Sequence, residues 1–330
     1  MSPPSRSPVF IVGAPRSGTT MLQYLLDDLE NLAFPTGESH FIVPMQRSQA
    51  SFGNLDTPAG MTRLLRTLHD FNAEFLDTDL HGIRFDVATL SATFLAENRA
   101  SPREVISGLF EHNARGLGKS RWGDKTPYYA LHLERILDWW PDAQFIHLIR
   151  DGRDVALSLF GRAHDFSAYN TYYAAQYWQK YVDACRQQGQ RLSSSQYLEV
   201  RYEDLLADQE ATMRTISDFL GERWLPAQRA GRESGAARKL KRVRQDNQGK
   251  WRRALTRWQI RVFESEAGGT LAQCGYPLLT RPRRLPLPVR ALYRLHNDWS
   301  MRLYRRLGRN RRKLNFVPPA SAASAPSTGS

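Results

Sequence analysis

The sequence lacks most of the features that mark secreted or membrane-spanning proteins. Its 330 residues include only two cysteines, Cys185 and Cys274, with no Cys or His at metal-ligand spacing beside them. Such a pair is more typical of free thiols in a reducing compartment than of a disulfide. No window approaches the ~20 apolar residues of a membrane-spanning helix, and the few residues before the first apolar strand leave no room for a signal peptide. We therefore expect a soluble, cytoplasmic protein.

Acidic residues are scarce near the C-terminus. The chain has a net charge of +13, but residues 281–313 hold twelve Lys and Arg against one acid, Asp298, so that the rest carries only +2. Apolar residues recur there at steps of three and four, at Leu292, Leu295, Trp299, Leu303 and Leu307, among arginines at Arg290, Arg294, Arg302, Arg305, Arg306 and Arg309. This pattern predicts a basic amphipathic segment over 281–316, which either lies on an anionic membrane surface, binds an acidic partner or docks on the main domain. Residues 317–330, rich in Ala, Ser and Pro, are expected to be disordered.

A lysine is absent from an otherwise familiar phosphate-binding pattern. The apolar run Val9–Val12 predicts a buried strand, residues 13–18 form a glycine-bounded loop, and a helix is expected from Thr19 to Asp28. The spacing Gly13-x-x-x-x-Gly18 matches the first part of a P-loop, but Thr19 stands where a nucleotide triphosphatase needs Lys. The cation of this loop is Arg16, so we expect an anion shorter than a triphosphate. The alternatives are a kinase-like P-loop and a merely structural turn.

A second strand-to-helix unit follows later in the chain. The strand over 143–149 ends at Arg150, Asp151 can cap the next helix, and Ser158 and Arg162 stand four residues apart, which predicts that they share one face of that helix. Arginine at the carboxyl end of a strand, with Ser and a second Arg behind it, predicts a phosphate pocket. The alternative is a surface Arg150 that pairs with Asp151 or Asp154.

The remaining candidates lie in connections. Glu38 and His40 follow the first helix, where the chain returns toward the ligand edge of the sheet. Residues 122–127 form a predicted polar turn, carrying Lys125, before a helix from about Tyr129 to Trp139. Residues 44–120 contain helical patterns, such as 61–75 and 102–117, and are interpreted as a helical insertion. The basic stretch 229–253 is interpreted as a mobile loop that could fold over a nucleotide. The fold class expected is α/β, a P-loop-type three-layer fold with a central parallel sheet flanked by helices.

Six units in order resemble the sulfotransferases that use 3′-phosphoadenosine 5′-phosphosulfate (PAPS), above all their bacterial and tyrosylprotein branches. The likeness covers roughly residues 8–278 and makes residues 1–280 one PAPS-dependent sulfotransferase domain. The units are Pro15-Arg16-Ser17-Gly18-Thr19-Thr20, Gly37-Glu38, Lys125-Thr126-Pro127, Arg150-Asp151-Gly152-Arg153 with Ser158, Arg201-Tyr202-Glu203-Asp204-Leu205 and Gly249-Lys250-Trp251.

The resemblance implies a role for each matching residue. The donor's 5′-phosphosulfate would be held by Arg16, Ser17, Gly18, Thr19 and Thr20. Its 3′-phosphate would be bound by Arg150 and Ser158, with further nucleotide contacts from Arg162, Tyr202 and Lys250. Glu38 matches a catalytic base, and Lys125 and Arg16 would stabilise the transferred group. The segment Ser39-His40-Phe41 departs from the tyrosylprotein pattern, so His40 stays an alternative base.

The activity implied is transfer of a sulfuryl group from PAPS to a hydroxyl or amine, with 3′,5′-adenosine bisphosphate as product. No metal is expected, because the donor has no β,γ-phosphate pair for magnesium to bridge. Lipid, carbohydrate, small metabolite and peptide tyrosine all remain as acceptors, and the basic segment favours peripheral association with an anionic membrane. The rival classes are a P-loop kinase or nucleotide triphosphatase, and a membrane or nucleic-acid binder; of the partners, nucleic acid is the least expected.

Overall fold

A parallel sheet organises the part of the chain that the structure describes. The computed structural model describes residues 7–35, 37–71, 83–225 and 247–307. In these ranges the strands are β1 (Val9–Val12), β2 (Leu32–Ala33), β3 (Arg121–Lys125), β4 (Gln144–Ile149) and β5 (Tyr197–Arg201). They form one five-stranded sheet in the order β2-β3-β1-β4-β5, and every pairing is parallel. The predicted α/β fold with a central parallel sheet is confirmed.

Helices cover both faces of this sheet. In chain order they are α1 (Thr19–Leu26), α2 (Ile42–Arg47), α3 (Pro58–Phe71), α4 (Val87–Ala96), α5 (Pro102–Gly116), α6 (Leu133–Trp139), α7 (Gly152–Phe160), α8 (Ala163–Phe166), α9 (Thr171–Gly189), α10 (Tyr202–Ala207), α11 (Gln209–Leu220), α12 (Trp251–Ala254), α13 (Arg257–Gln273) and α14 (Leu287–Leu307). Short 3₁₀ turns occur at Gln49–Phe52 and Pro127–Leu131. Across the described ranges, none of the helices combines the length and the apolar character that a bilayer span requires.

Alternating side chains of β1 build the two halves of the core. Phe10 and Val12 face one side and join a cluster that includes Phe145 of β4 and residues of α5, α7, α9 and α13. Val9 and Ile11 face the other side, with residues of α1 and α11. Because strand side chains alternate with period two, a strand covered by helices on both faces is apolar throughout, as β1 is.

The predicted turn at 122–127 is wrong, because residues 121–125 form the buried strand β3. Gly123, Asp124 and Lys125 have the composition of a turn, and the strand tolerates them because each buried charge has a partner. Lys125 reaches Glu38, and Asp124 accepts hydrogen bonds from Ser39 and Thr126. The helix expected from about Tyr129 begins instead at Leu133, after the 3₁₀ turn.

Several segments of the expected organisation have a clear counterpart. Helices occur as predicted within 61–75 and 102–117, as α3 and α5, although residues 72–75 lie outside the described ranges. The interpretation of 229–246 as part of a loop, and of 317–330 as a disordered tail, also concerns residues outside those ranges. The two cysteines are buried free thiols.

Candidate active site

The loop between β1 and α1 has the shape of an anion cradle. Gly18, with φ 99°, precedes α1, and no side chain of the described residues caps this helix. An uncapped helix N-terminus presents N–H groups and partial positive charge to an anion. Arg16 also has a positive φ, 73°, a conformation that costs a non-glycine residue roughly 1–3 kcal/mol and is concentrated at functional sites. The loop therefore combines a positive electrostatic environment, which favours an anion, with a strained backbone at Arg16.

The hydroxyl of Ser17 lies at the bottom of this cradle. Its side chain is completely buried, and its Oγ has no hydrogen-bond partner among the described residues. A buried hydroxyl without a partner carries an energetic cost of about 1–3 kcal/mol unless a ligand or water satisfies it. This buried hydroxyl without a partner indicates that the loop binds a ligand.

Arg150 connects the cradle to two other segments. It follows β4, is only 6% exposed, and donates to the backbone carbonyl of Arg16 at 3.3 Å and to that of Asn247 at 2.5 Å. Its guanidinium carbon lies 4.6 Å from the ring centroid of Tyr202, and its Nε has no partner in the described part of the chain. Arg150 is thus a buried cation that still has N–H groups to donate, and the alternative of a surface ion pair with Asp151 or Asp154 is wrong.

Ser158 lies on the other side of Arg16. The Arg16 Nε donates to Ser158 Oγ at 2.9 Å, which places the face of α7 against the loop. Partial burial and the charges of Arg162 and Arg150 lower the pKa of Arg16, so the three guanidinium groups repel one another. An excess of positive charge in one cleft attracts an anion and would be relieved by it.

Arg162 is not on the helical face of Ser158, contrary to the sequence-based expectation. Helix α7 ends at Phe160, so Arg162 lies beyond it, directly before α8. Its side chain is 55% exposed and pairs with Asp165. Its contribution to a nucleotide site stays a prediction.

Tyr202 forms a wall of the same cleft. Its buried ring lies so close to Gly18 that a Cβ added there would be 2.5 Å from the ring. Gly18 is therefore required twice, by its φ and by this contact. The Tyr202 hydroxyl accepts a hydrogen bond from Asn247 Nδ2 at 3.0 Å, which links the cleft to the segment before Lys250.

Asp154 clamps that segment onto α7, a role that the sequence did not reveal. Its carboxylate accepts from the backbone N–H of Gly249 at 2.6 Å and from that of Trp251 at 2.9 Å. The Arg153 guanidinium lies 3.6 Å from the Trp251 ring centroid and completes the clamp. Lys250, between the two clamped residues, is exposed. The sequence signal for this clamp is an acid one turn from Arg150, which enters the sequence analysis only through the alternative of a surface pair with that arginine.

Glu38, Lys125 and His40 form one polar cluster at the carboxyl end of β3. Lys125 Nζ donates to Glu38 Oε1 at 2.7 Å, and the other carboxylate oxygen lies 3.0 Å from His40 Nε2. Burial opposes ionisation of Glu38, but the bond from His40 and the charge of Lys125 outweigh it and lower its pKa to about 2. Lys125 is 3% exposed, whereas Glu38 is 37% exposed, so the carboxylate faces the cleft and the lysine supports it from within.

A buried hydrogen-bond network fixes this cluster, and sequence reasoning missed it. Ser39 Oγ donates to Asp124 at 2.6 Å and contacts the Tyr129 hydroxyl at 2.8 Å, and Thr126 Oγ1 accepts from the Ser39 N–H at 2.9 Å. The network anchors the residue between Glu38 and His40 to β3. In the sequence Ser39 is only part of a departure from a family pattern, but in the structure it positions both candidates for the base.

Asp124 should give the protein an unusual pH dependence of stability. Burial raises its pKa from 3.8 to about 6, although the bonds from Ser39 and Thr126 oppose the shift. Between pH 4.5 and 6.5 the folded state therefore holds a proton that the unfolded state has lost, and stability falls as pH rises. Relative to Asp124→Asn, the wild-type melting temperature should drop by roughly 3 °C across this range. Thermal unfolding at several pH values would measure this drop, and melting temperatures of the two proteins that change in parallel with pH would contradict the prediction. The control is Asp138→Asn, because the Asp138 side chain is 57% exposed.

These features define a class of protein. A glycine-bounded loop, a helix N-terminus and a cluster of arginines at the carboxyl edge of a parallel sheet are the parts of a P-loop-type nucleotide-binding protein. A model described as the sulfotransferase family matches residues 8–226, about two thirds of the chain. The chain belongs to this family, and the resemblance seen in the sequence is confirmed.

The relatives are distant and longer than this chain. A protein-tyrosine sulfotransferase of Drosophila melanogaster is 24% identical over 222 residues, which cover 66% of this chain and 38% of that protein. Protein-tyrosine sulfotransferase A of Caenorhabditis elegans is 23% identical over 223 residues, which cover 66% of this chain and 50% of that protein. The chain thus spans half or less of the length of these relatives. Among solved structures, the sulfotransferase domain from the curacin biosynthetic pathway superimposes with a TM-score of 0.55 and 22% identity, covering 83% of this chain and all of that domain, and it shares the fold.

Proposed function

We propose that the protein transfers a sulfuryl group from PAPS to a hydroxyl or amine acceptor. One observation carries the proposal: an anion cradle with Arg16, Arg150 and Ser158 lies at the same sheet edge as a carboxylate paired with a buried lysine. The anion cradle suits a phosphorylated donor, and the pair of Glu38 and Lys125 suits proton transfer and the stabilisation of developing charge. Family membership supports the same chemistry.

The residues present fit this donor. Ser17 Oγ and Arg150 Nε are buried polar atoms without a partner in the described ranges, one in the loop and one behind it. In the proposed complex the loop residues Ser17 to Thr20, with Arg16, hold the phosphosulfate, because an uncapped helix N-terminus and a guanidinium both favour it. Arg150 and Ser158 hold the 3′-phosphate. Further nucleotide contacts are proposed for Tyr202, Arg162 and Lys250.

The catalytic roles follow from charge and geometry. PAPS supplies the sulfuryl group, and Glu38 accepts the proton of the acceptor, with His40 as the alternative. Lys125 and Arg16 stabilise the negative charge that develops as the bond to the phosphate breaks, and preorganised cations of this kind are worth several kcal/mol. The proposed reaction uses no metal, because PAPS has no β,γ-phosphate pair to bridge.

Aromatic side chains favour an acceptor that carries a ring. The Tyr128 ring centroid lies 6.1 Å from that of His40, and Tyr177 packs against Tyr181 at 4.9 Å and Phe166 at 5.6 Å. Burial raises the pKa of Tyr177 and of Tyr181, and the charge of Glu38 adds to both shifts. Both tyrosines therefore lie close enough to Glu38 to interact with its charge. A phenolic hydroxyl, such as that of peptide tyrosine, is therefore the first acceptor to screen, in line with the names of the relatives.

Replacing Arg150 with alanine tests the donor site. Loss of a buried charged contact costs ~2–5 kcal/mol, so the affinity for 3′,5′-adenosine bisphosphate should fall by roughly 30- to 5,000-fold. Titration calorimetry without magnesium would measure this, with Arg135→Ala, at an exposed arginine, as the control. Because Arg150 also holds two backbone carbonyls, Ser158→Ala provides a milder second variant. Unchanged affinity in both would refute the site, and magnesium-dependent ATP binding would favour a kinase instead.

A further inference from the structure

The outward face of α14 is apolar, and its inward face already has partners. Leu292, Leu295 and Trp299 are 67%, 67% and 65% exposed, and Leu303 is 39% exposed. Their spacing of three, four and four residues places them on one side of the helix. Single exposed leucines are common, but three leucines and a tryptophan in one stripe indicate a binding surface. We call these four residues the apolar stripe.

The stripe cannot turn toward the core without breaking contacts on the opposite side of the helix. Asn297 is 1% exposed; its side chain accepts from the Tyr169 N–H at 2.9 Å and donates to the Ser167 carbonyl at 3.2 Å. Tyr293 stacks on Tyr172 with ring centroids 5.8 Å apart. The alternative that α14 docks on the main domain is thus confirmed. The helix docks through the face that carries Asn297 and Tyr293, and the apolar stripe stays exposed to water.

The charges around the stripe are basic with one exception. Within residues 281–306 the exposed basic side chains are Arg281, Arg283, Arg284, Arg294, Arg302, Arg305 and Arg306, and the one acid is Asp298. Leucine and tryptophan on one face with arginines beside them are the composition of a helix that lies in the interface of an anionic bilayer. Each arginine near such a surface adds about 1 kcal/mol, which corresponds to roughly a fivefold gain in affinity.

We propose that α14 binds an anionic lipid surface through the apolar stripe and the arginines beside it. Two other occupants fit less well. A second copy of this chain would bring the same arginines against each other, and like charges across an interface are unfavourable. A nucleic acid would use the arginines but would leave the leucines and Trp299 uncovered.

Lipid binding would hold the catalytic cleft beside the membrane. Near the C-terminal end of α14, Tyr304 stacks on His164 of α8 with ring centroids 4.9 Å apart. The next residue, Asp165, pairs with Arg162, whose charge acts on Arg16 in the cradle. This chain of contacts joins the lipid-facing helix to the site and favours an acceptor presented at the membrane surface; this last step rests on the proposed function, whereas lipid binding does not.

Vesicle cosedimentation of the full chain tests the proposal without any assay of activity. The protein should bind vesicles of phosphatidylcholine with phosphatidylserine, bind pure phosphatidylcholine more weakly, and be released by salt. The double variant Leu295→Ser with Trp299→Ser should lose roughly tenfold or more of the affinity, because both side chains already lie in water and the fold does not need them. Leu117→Ser is the matched control, since Leu117 is 60% exposed on another part of the surface.

Each other outcome would overturn the proposal. Equal sedimentation of the double variant and the wild type would show that the stripe does not contact lipid. Absence of binding to either vesicle would exclude a lipid surface, and a dimer in light scattering that the double variant abolishes would assign the stripe to a second copy. Tighter binding to a polynucleotide than to vesicles, unchanged in the double variant, would assign the arginines to nucleic acid.

Discussion

Replacing Glu38 with glutamine should reduce the rate of sulfuryl transfer by ~10²–10⁴-fold, the range that a general base contributes. Glutamine keeps the size of the side chain and an oxygen that can accept from Lys125, so the site should keep its shape. The affinity for adenosine bisphosphate should stay nearly unchanged, because the Glu38 carboxylate hydrogen-bonds Lys125 and His40 and adenosine bisphosphate lacks the transferred group. Steady-state kinetics with labelled PAPS and a phenolic acceptor, beside calorimetry, would measure both quantities.

Two comparisons make the result interpretable. Glu134→Gln removes a carboxylate that is 63% exposed and pairs with Arg191 on the surface, and it should leave both quantities unchanged. His40→Ala separates the two candidates for the base. Full activity of Glu38→Gln together with an inactive His40→Ala would move the role of base to His40.

Replacing Lys125 with methionine should lower kcat/KM by ~10²–10³-fold, the usual cost of removing one group that stabilises developing charge. Adenosine bisphosphate lacks the transferred group, so its affinity should change little, and the loss should appear in turnover. Methionine is similar in length and apolar, which suits a position that is 3% exposed. Kinetics and calorimetry on the same preparation would separate the two effects.

The control for this variant is Lys180→Met, at an exposed lysine of α9. Lys125→Arg adds a second test, because it keeps the charge while the planar guanidinium group does not fit where the ammonium group lies. We expect partial activity at most. Wild-type turnover of Lys125→Met would contradict the role of this lysine, and weaker binding of adenosine bisphosphate with unchanged turnover would move it to the donor site.

The sequence predicts most of the fold because its strongest signals are local. The apolar run of β1, the glycines of the cradle and the capping residue Asp151 each act within a few positions, and the structure has them where expected. Strand β3 could not be predicted in this way. Its identity depends on distant partners, since Asp124 is tolerated in a buried strand only where Ser39 and Thr126 satisfy it.

The same difference between local and long-range signals applies to the residues of the candidate site. A motif on one segment indicates candidate residues for a site, so Arg16, Arg150 and Ser158 could be named from the sequence, and the structure places them together. The residues that hold these segments in position, such as Asp154 and Asn247, have no motif of their own. Their contacts join residues 95 and 45 positions apart, and spacing within one segment carries no information about such pairs.

The hydrogen-bonded pair of Glu38 and Lys125 has a consequence for the order of events. The bond from His40 and the charge of Lys125 together lower the pKa of Glu38 to about 2, which is too low for efficient acceptance of a proton. In the proposed reaction an incoming anion would compete for the Lys125 ammonium group, and a lysine turned toward that anion would return part of the basicity of the carboxylate. The acceptor would then lose its proton only after the donor has bound, so the ion pair of Glu38 and Lys125 would prevent proton transfer in the absence of the donor.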